Sequence, residues 1–288
     1  MFEWLSAPFT EFSFMRRALV GCVAMALGGT PVGVFMTLRN MSLTGDAMAH
    51  AILPGAAIGY LLSGLSLLAM TVGGIAAGII VALLSGLVTR SSGIREDTNL
   101  AAFYLMSLAL GVMLISTRGS SVDLQHVLFG SILALDDATL FLLVGIASVS
   151  LCLLLIFYRP LVLECCDPAF LQAESRLSAM VHYLLLILVV LNLVAGFHAI
   201  GTLMAVGMMI LPAAAARFWA RDLSNIILTA IGISLLGSYT GLLFSYYMDT
   251  PSSASIILCF GLIYLLSYAC GTAQGQWQRW FPPAHLES

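Results

Sequence analysis

The sequence predicts an all-α fold: a polytopic membrane helical bundle of about eight transmembrane helices, with a short re-entrant or broken helix near 46–62. Three observations carry that reading. Of the 288 residues, 60% are hydrophobic and 9% charged, where a soluble domain carries roughly 25% charged residues. The excess apolar surface therefore has to face lipid. Mean hydropathy is +1.03. Apolar runs also recur at the length of about 20 residues that crosses a hydrocarbon core.

Those runs are 15–38, 66–89, 99–117, 136–157, 177–196, 198–216, 223–247 and 252–270. The stretch 46–62 is shorter and holds Asp46, His50, Pro54 and several glycines. Irregular backbone at membrane depth is tolerated only where protein or a water-filled cavity surrounds it. No linker, charge block or low-complexity run divides the chain, so residues 1–288 are expected to form a single transmembrane domain.

Arginine placement orients the runs. With both termini in the cytoplasm and 46–62 dipping in from outside without crossing, Arg16, Arg17, Arg90, Arg95, Arg159, Arg176, Arg217, Arg221 and Arg279 fall inside. Only Arg39 and Arg118 fall outside, as the positive-inside rule asks. This arrangement puts 40–63 and 118–135 on one outer face. A 46–62 segment that truly spans moves the N-terminus outside.

Composition also excludes functions. The chain has no Lys, so it cannot form a P-loop, whose Lys reaches the nucleotide phosphates. It has no basic patch for nucleic acid. Six Cys lie mostly in or beside apolar runs, where Cys acts as a small hydrophobe; neither a disulfide framework nor a Cys-rich zinc site emerges. The first residues, MFEWLSAPFTEFSFMRR, lack the pattern of a cleaved signal peptide.

Two polar pairs stand out. Asp46 and His50 are four apart among small and apolar neighbours, and so share a helical face. Asp123 and His126 are three apart in SSVDLQHVLFG. Ionisable residues in such surroundings are costly in lipid and point to function. Each pair alone also fits an N-cap with a core or interfacial histidine. Together they supply two carboxylates and two imidazoles, ligands suited to Zn²⁺ and Mn²⁺. The absence of thiolates suits transit better than tight storage.

Other polar residues carry less. Arg39 and Arg118 flank the paired residues. His182 reads as structural, and His198 sits in a turn with a smaller prospect of aiding metal passage. Asp136-Asp137 read as the start and cap of a helix. The connection 158–176, YRPLVLECCDPAFLQAESR, is expected in the cytoplasm. Asp167 and Pro168 start a short helix there, and Phe170 gives it an apolar edge for a soluble partner. The run GTLMAVGMMILPAAAA, 201–216, is rich in small residues that let membrane helices approach closely.

The segments GDAMAHAILPG, VDLQHVLFGSILAL, ECCDPAF, GTLMAVGMMILPAAAA and the Pro251-Ser-Ser-Ala-Ser start of the last run occur together over nearly the whole chain. In this combination the chain resembles the permeases of the zinc/manganese/iron ABC importers, the ABC-3 family. The resemblance implies a bacterial inner-membrane importer with two permease copies, two cytoplasmic ATP-binding subunits and a periplasmic metal-binding protein. It implies that Asp46, His50 and Asp123 are gate ligands. His126 is commoner in manganese and iron members, yet the chain's overall wording is closest to a zinc subgroup. Zinc is therefore the expected cargo, with manganese or iron as the alternative. No cofactor is expected to stay bound, and ATP belongs to the partner subunit. The chain departs from the family where a Gly usually follows the DPxF element: Glu174-Ser175-Arg176 stand there instead.

Two other classes compete. An intramembrane metalloenzyme needs a metal with a general base, as in HExxH, and no such motif is present. A proton-driven secondary transporter uses carboxylate or His relays at mid-membrane depth, and the deep parts of these runs hold almost no carboxylate.

Overall fold

The structure is a computed structural model and describes residues 3–64, 66–92, 96–117, 132–166 and 177–273. The described residues are helical, with no strand among them. In chain order they form α1 (Glu3–Glu11), α2 (Ser13–Leu38), α3 (Ser42–Ala51), α4 (Leu53–Ser63), α5 (Leu67–Ser92) and α6 (Glu96–Thr117). A short turn of 3₁₀-helix, Ile132–Ala134, precedes α7 (Asp137–Ile156) and α8 (Tyr158–Cys166). The chain ends with α9 (Leu177–Ile200), α10 (Thr202–Ala216), α11 (Leu223–Met248) and α12 (Ser252–Cys270).

Each of the eight expected runs coincides with a helix. Six of these helices, α2, α5, α7, α9, α11 and α12, are long and apolar enough to cross a membrane. The apolar parts of α6 and α10 are shorter, at Thr98–Gly111 and Thr202–Ala216. Burial separates centre from rim. The apolar windows of α2 and α9 are 78% and 72% buried, while those of α5, α7 and α12 are each 28% buried. Apolar side chains on the rim helices, such as Leu68, Phe141 and Leu258, point outward, as a lipid-facing surface requires.

Close helix contacts rest on small residues. A Cβ on Gly55 would meet the Gly73 carbonyl, and one on Gly73 would meet the Gly55 carbonyl, so α4 and α5 touch backbone to backbone. A Cβ on Gly33 of α2 would meet the Met209 carbonyl of α10. Two buried polar clusters are paired across the same centre. Thr30 Oγ1 donates to the Met208 carbonyl at 3.1 Å and lies 3.1 Å from Ser234 Oγ. Asn192 Nδ2 donates to Ser150 Oγ at 2.8 Å. The break between α9 and α10 falls at Gly201, a few residues later than the sequence predicts, because Gly201 takes φ +86° there.

The contacts fix the direction of each helix. Arg17 Nε lies 2.9 Å from Asp137 Oδ1, and Gly28 packs on Ala147, so α2 and α7 run parallel. Ser107 Oγ donates to the Ala51 carbonyl at 2.9 Å and Gly111 meets Pro54, so α3–α4 runs parallel to α6. Gly55 faces Gly73 and Gly59 faces Ala69, so α4 runs antiparallel to α5. Asn99 Nδ2 donates to Thr89 Oγ1 at 2.9 Å, closing the α5–α6 hairpin at the end where α3 begins.

These contacts correct the expected topology. The 46–62 stretch is not a dip that returns to its own side. It belongs to a broken helix, 42–63, that runs from one end of the bundle to the other beside α5 and α6. Pro54 lacks an N–H and so cannot donate to the His50 carbonyl, which accounts for the interruption at Ile52. The two ends of the described chain accordingly lie at opposite ends of the bundle. Phe9 stacks on Tyr239 at 5.2 Å, and Phe12 meets Tyr246 at 5.8 Å. At the other end, Ala273 N donates to the Phe218 carbonyl at 2.8 Å, and Arg217 Nη1 donates to the Thr37 carbonyl at 3.4 Å.

The end that holds Arg39 also holds Arg90, Arg159, Arg217 and Arg221, whereas Arg16 and Arg17 stand at the opposite end. By the positive-inside rule the Arg39 end is the cytoplasmic one. Arg16, Arg17 and Arg39 thus exchange sides relative to the expectation. The expected common outer face for 40–63 and 118–135 is also lost, because α3 starts at the Arg39 end while Ile132 and α7 start at the Arg17 end.

Candidate metal path

α3 begins after a three-residue turn, Arg39-Asn40-Met41, in which Asn40 takes the left-handed φ of 57° that Asn tolerates. Most of α3 is small and buried, Ala47, Ala49 and Ala51 together with Met48, which leaves a strip through Leu43, Asp46 and His50 open. The polar pair lies on the side toward α6. His50 Nε2 stands 3.8 Å from Asp46 Oδ1; the His50 side chain is 30% exposed and that of Asp46 is 68%. That separation is too long for a hydrogen bond, so neither group uses up the other's lone pairs. Two ligands held about 2.1 Å from one ion stand roughly 3.0–4.2 Å apart, and the pair already meets that spacing.

His50 Nδ1 is buried without a hydrogen-bond partner, and so is Thr44 Oγ1, six residues earlier on α3. The Tyr104 ring of α6 lies 6.2 Å from the His50 ring. A cleft of about 180 Å³ between α3 and α6 is lined by Thr44, Asp46, Leu100, Ala101 and Tyr104, among others. Sequence reasoning missed Thr44 and Tyr104, because a lone Thr and a lone Tyr in apolar runs carry no periodic signal.

Other expected residues are placed as follows. Asp123, His126, Asp167, Pro168 and Phe170 lie outside the described residues. Among the described residues no group of three or more His, Cys, Asp or Glu is close enough to hold a metal, so Asp46 and His50 stand there as a pair. Arg39 does not order the Asp46 carboxylate; its guanidinium pairs with Glu164 at 3.7 Å. His182 is buried against Tyr183, in line with a structural role. His198 lies within the last turn of α9, with Nδ1 2.9 Å from the Val194 carbonyl and Nε2 buried without a partner. Asp136 caps α7, its carboxylate accepting from Thr139 N at 3.1 Å. Thr139 holds that carboxyl below its usual pKa.

The profile of the ABC 3 transport family matches residues 11–271. The chain belongs to this family. It is 33% identical over 272 residues to "Manganese transport system membrane protein MntC" of Halalkalibacterium halodurans, covering 94% of this chain and 92% of that one. It is 35% identical over 269 residues to "Manganese import system permease protein ScaB" of Streptococcus gordonii, covering 93% and 95%. A "Probable iron transport system membrane protein" of Haemophilus influenzae is 28% identical over 93% of this chain and 97% of its own. Among solved structures, "PsaBC from Streptococcus pneumoniae in complex with Fab" superposes with a TM-score of 0.84 at 32% identity, over 97% of this chain and 99% of that one.

With its long apolar helices, the chain is thus a multi-pass membrane permease of the ABC 3 transport family, a transport subunit and not an enzyme in itself. The zinc expectation finds no counterpart in the names of these relatives. Its alternative, manganese or iron, does.

Proposed function

We propose that this chain is the membrane subunit of an ATP-driven importer of manganese, located in a bacterial inner membrane. The observation that carries the reading is the open Asp46–His50 pair, 3.8 Å apart on α3, in a chain that is 33–35% identical to relatives named for manganese and 28% identical to one named for iron. A carboxylate with an imidazole suits Mn²⁺, and the lack of a thiolate disfavours tight capture of softer ions. Such a site can hold an ion and still release it.

In this reading Asp123 and His126 complete the ligand set. The site in this reading lies at the centre of the bundle and not at an outer gate, a position supported by His50 standing near the middle of the 42–63 run. From the level of His50 to Thr117 is about 15 Å along α6. The six residues from Thr117 to Asp123 reach up to roughly 20 Å when extended, so the tether allows the two pairs to meet.

ATP is hydrolysed on a separate subunit in this proposal, because the chain lacks the Lys of a P-loop. That subunit docks on the segment after α8 through Asp167, Pro168 and Phe170. A second copy of the permease and a periplasmic metal-binding protein complete the importer.

The test is ATP-dependent uptake by the reconstituted complex with Mn²⁺, Zn²⁺ and Fe²⁺ offered separately. Manganese uptake that stops when the ATPase subunit is omitted supports the proposal. Uptake driven by a proton gradient alone, or confined to zinc, contradicts it. Asp46→Ala should cut manganese uptake at least about tenfold, the scale of losing a metal contact, with assembly intact. Phe170→Asp should break co-purification with the ATPase subunit.

A further inference from the structure

A buried charge pair joins the end of α2 to α8. Arg39 Nη2 lies 3.7 Å from Glu164 Oε1, with the two side chains 15% and 4% exposed. The pair is incompletely satisfied, since Arg39 Nη1 and Glu164 Oε2 are both buried without a hydrogen-bond partner. Stability does not account for such an arrangement. Desolvating two charges can exceed their attraction, and apolar replacements of buried pairs are often neutral or stabilising.

What the pair joins is more telling. Arg39 ends α2 and stands three residues before Ser42, the first residue of α3. Glu164 lies in the last turn of α8, three residues before Asp167. α8 is seated on the cytoplasmic end of α2: Leu161 is buried, and the Tyr158 ring meets the Phe35 ring edge-on at 6.3 Å. The turn from Arg39 to Met41 is tight, fixed by the left-handed Asn40, and Met41 N donates back to the Met36 carbonyl at 2.9 Å. A short turn of this kind transmits displacement to α3, because α3 is a continuous helix from Ser42 through Asp46 to His50.

We propose that Arg39 and Glu164 are positioning residues that couple α8 to the helix bearing Asp46 and His50. Movement of α8 when ATP binds to the partner is carried through the ion pair to α3, and shifts Asp46 and His50 relative to α6. This inference rests on the reading of the chain as an importer permease driven from its cytoplasmic end.

The test uses the complete transporter in proteoliposomes. Replacing both partners by apolar residues, Arg39→Met with Glu164→Leu, removes the link without leaving a lone buried charge. The expected result is ATP hydrolysis within about twofold of the parent, with Mn²⁺ moved per ATP reduced about tenfold, within the usual range of site-to-site coupling. Unchanged Mn²⁺ per ATP overturns the proposal.

A second measurement leaves the pair intact. Spin labels at Leu43→Cys on α3 and Leu163→Cys on α8, both exposed positions, are compared with a reference label at Thr240→Cys on α11. Between nucleotide-free and ATP-trapped states, the Leu43–Leu163 distance should hold while both distances to Thr240 change. A Leu43–Leu163 change larger than one helical turn, about 5 Å, overturns the link, and so do three unchanged distances. Failure of the parent complex to import Mn²⁺ is a separate result, which defeats the functional reading while the distances still report on the coupling.

Discussion

His50 and Asp46 face each other at 3.8 Å, one helical turn apart and one turn before the proline that breaks the helix. The relationship joins local sequence to function. The i,i+4 spacing sets the face, and the alanines at 47, 49 and 51 let α3 pack closely against its neighbours. The gap between carboxylate and imidazole leaves both free for a cation.

The broken helix fixes the sidedness of the chain. Single cysteines at Thr10→Cys and Thr272→Cys, each in a cysteine-free background, should react with an impermeant thiol reagent from opposite faces of sealed vesicles. Thr10 should label from the outside and Thr272 from the cytoplasmic side. Labelling of both from one face would show that 42–63 does not run through the bundle.

The α4–α5 contact should be intolerant of a single methyl. Gly55→Ala places a Cβ against the Gly73 carbonyl, and overpacking of this kind costs about 1–3 kcal/mol. The purified permease should therefore lose thermal stability, as a melting curve in detergent or nanodiscs measures. Gly145→Ala is the control, because a Cβ there meets nothing within 4 Å, and it should melt with the parent. Equal melting of both variants would contradict the backbone-to-backbone contact.

The cap of α7 carries a pH dependence. Asp136 accepts from Thr139 N, and the Thr139 contacts lower its carboxyl pKa in the folded protein. A lowered folded-state pKa means that the stabilisation is present above the unfolded value, about 3.9, and is lost as pH falls through the folded one. Asp136→Ala should cost about 1 kcal/mol of stability near neutral pH, the usual scale for an N-cap. The difference from the parent should vanish in strong acid. A pH-independent difference would contradict the cap.

Much of this was legible in the residues, for physical reasons that differ by element. The eight long runs were readable because a hydrocarbon core imposes length and composition directly, and each became a helix. The Asp46–His50 pair was readable because four residues make one turn whatever surrounds them. Sidedness was not. It depended on whether 46–62 crosses, and that is decided by Gly55 and Gly73 meeting across two helices, a contact between positions far apart in the chain. The pairing of Arg39 was hidden for the same reason: its partner, Glu164, lies 125 residues away on α8. Thr44 and Tyr104 became visible at the site only once α3 and α6 were laid side by side.

The central claim is that His50 and Asp46 bind the cation in transit. The most direct test is pulsed electron paramagnetic resonance of Mn²⁺ held by the assembled transporter, in the parent and in His50→Ala. The account predicts a ¹⁴N modulation from a directly bound imidazole in the parent, lost or halved in His50→Ala and retained in His182→Ala. A manganese signal without nitrogen coupling, or one identical in parent and His50→Ala, would contradict it.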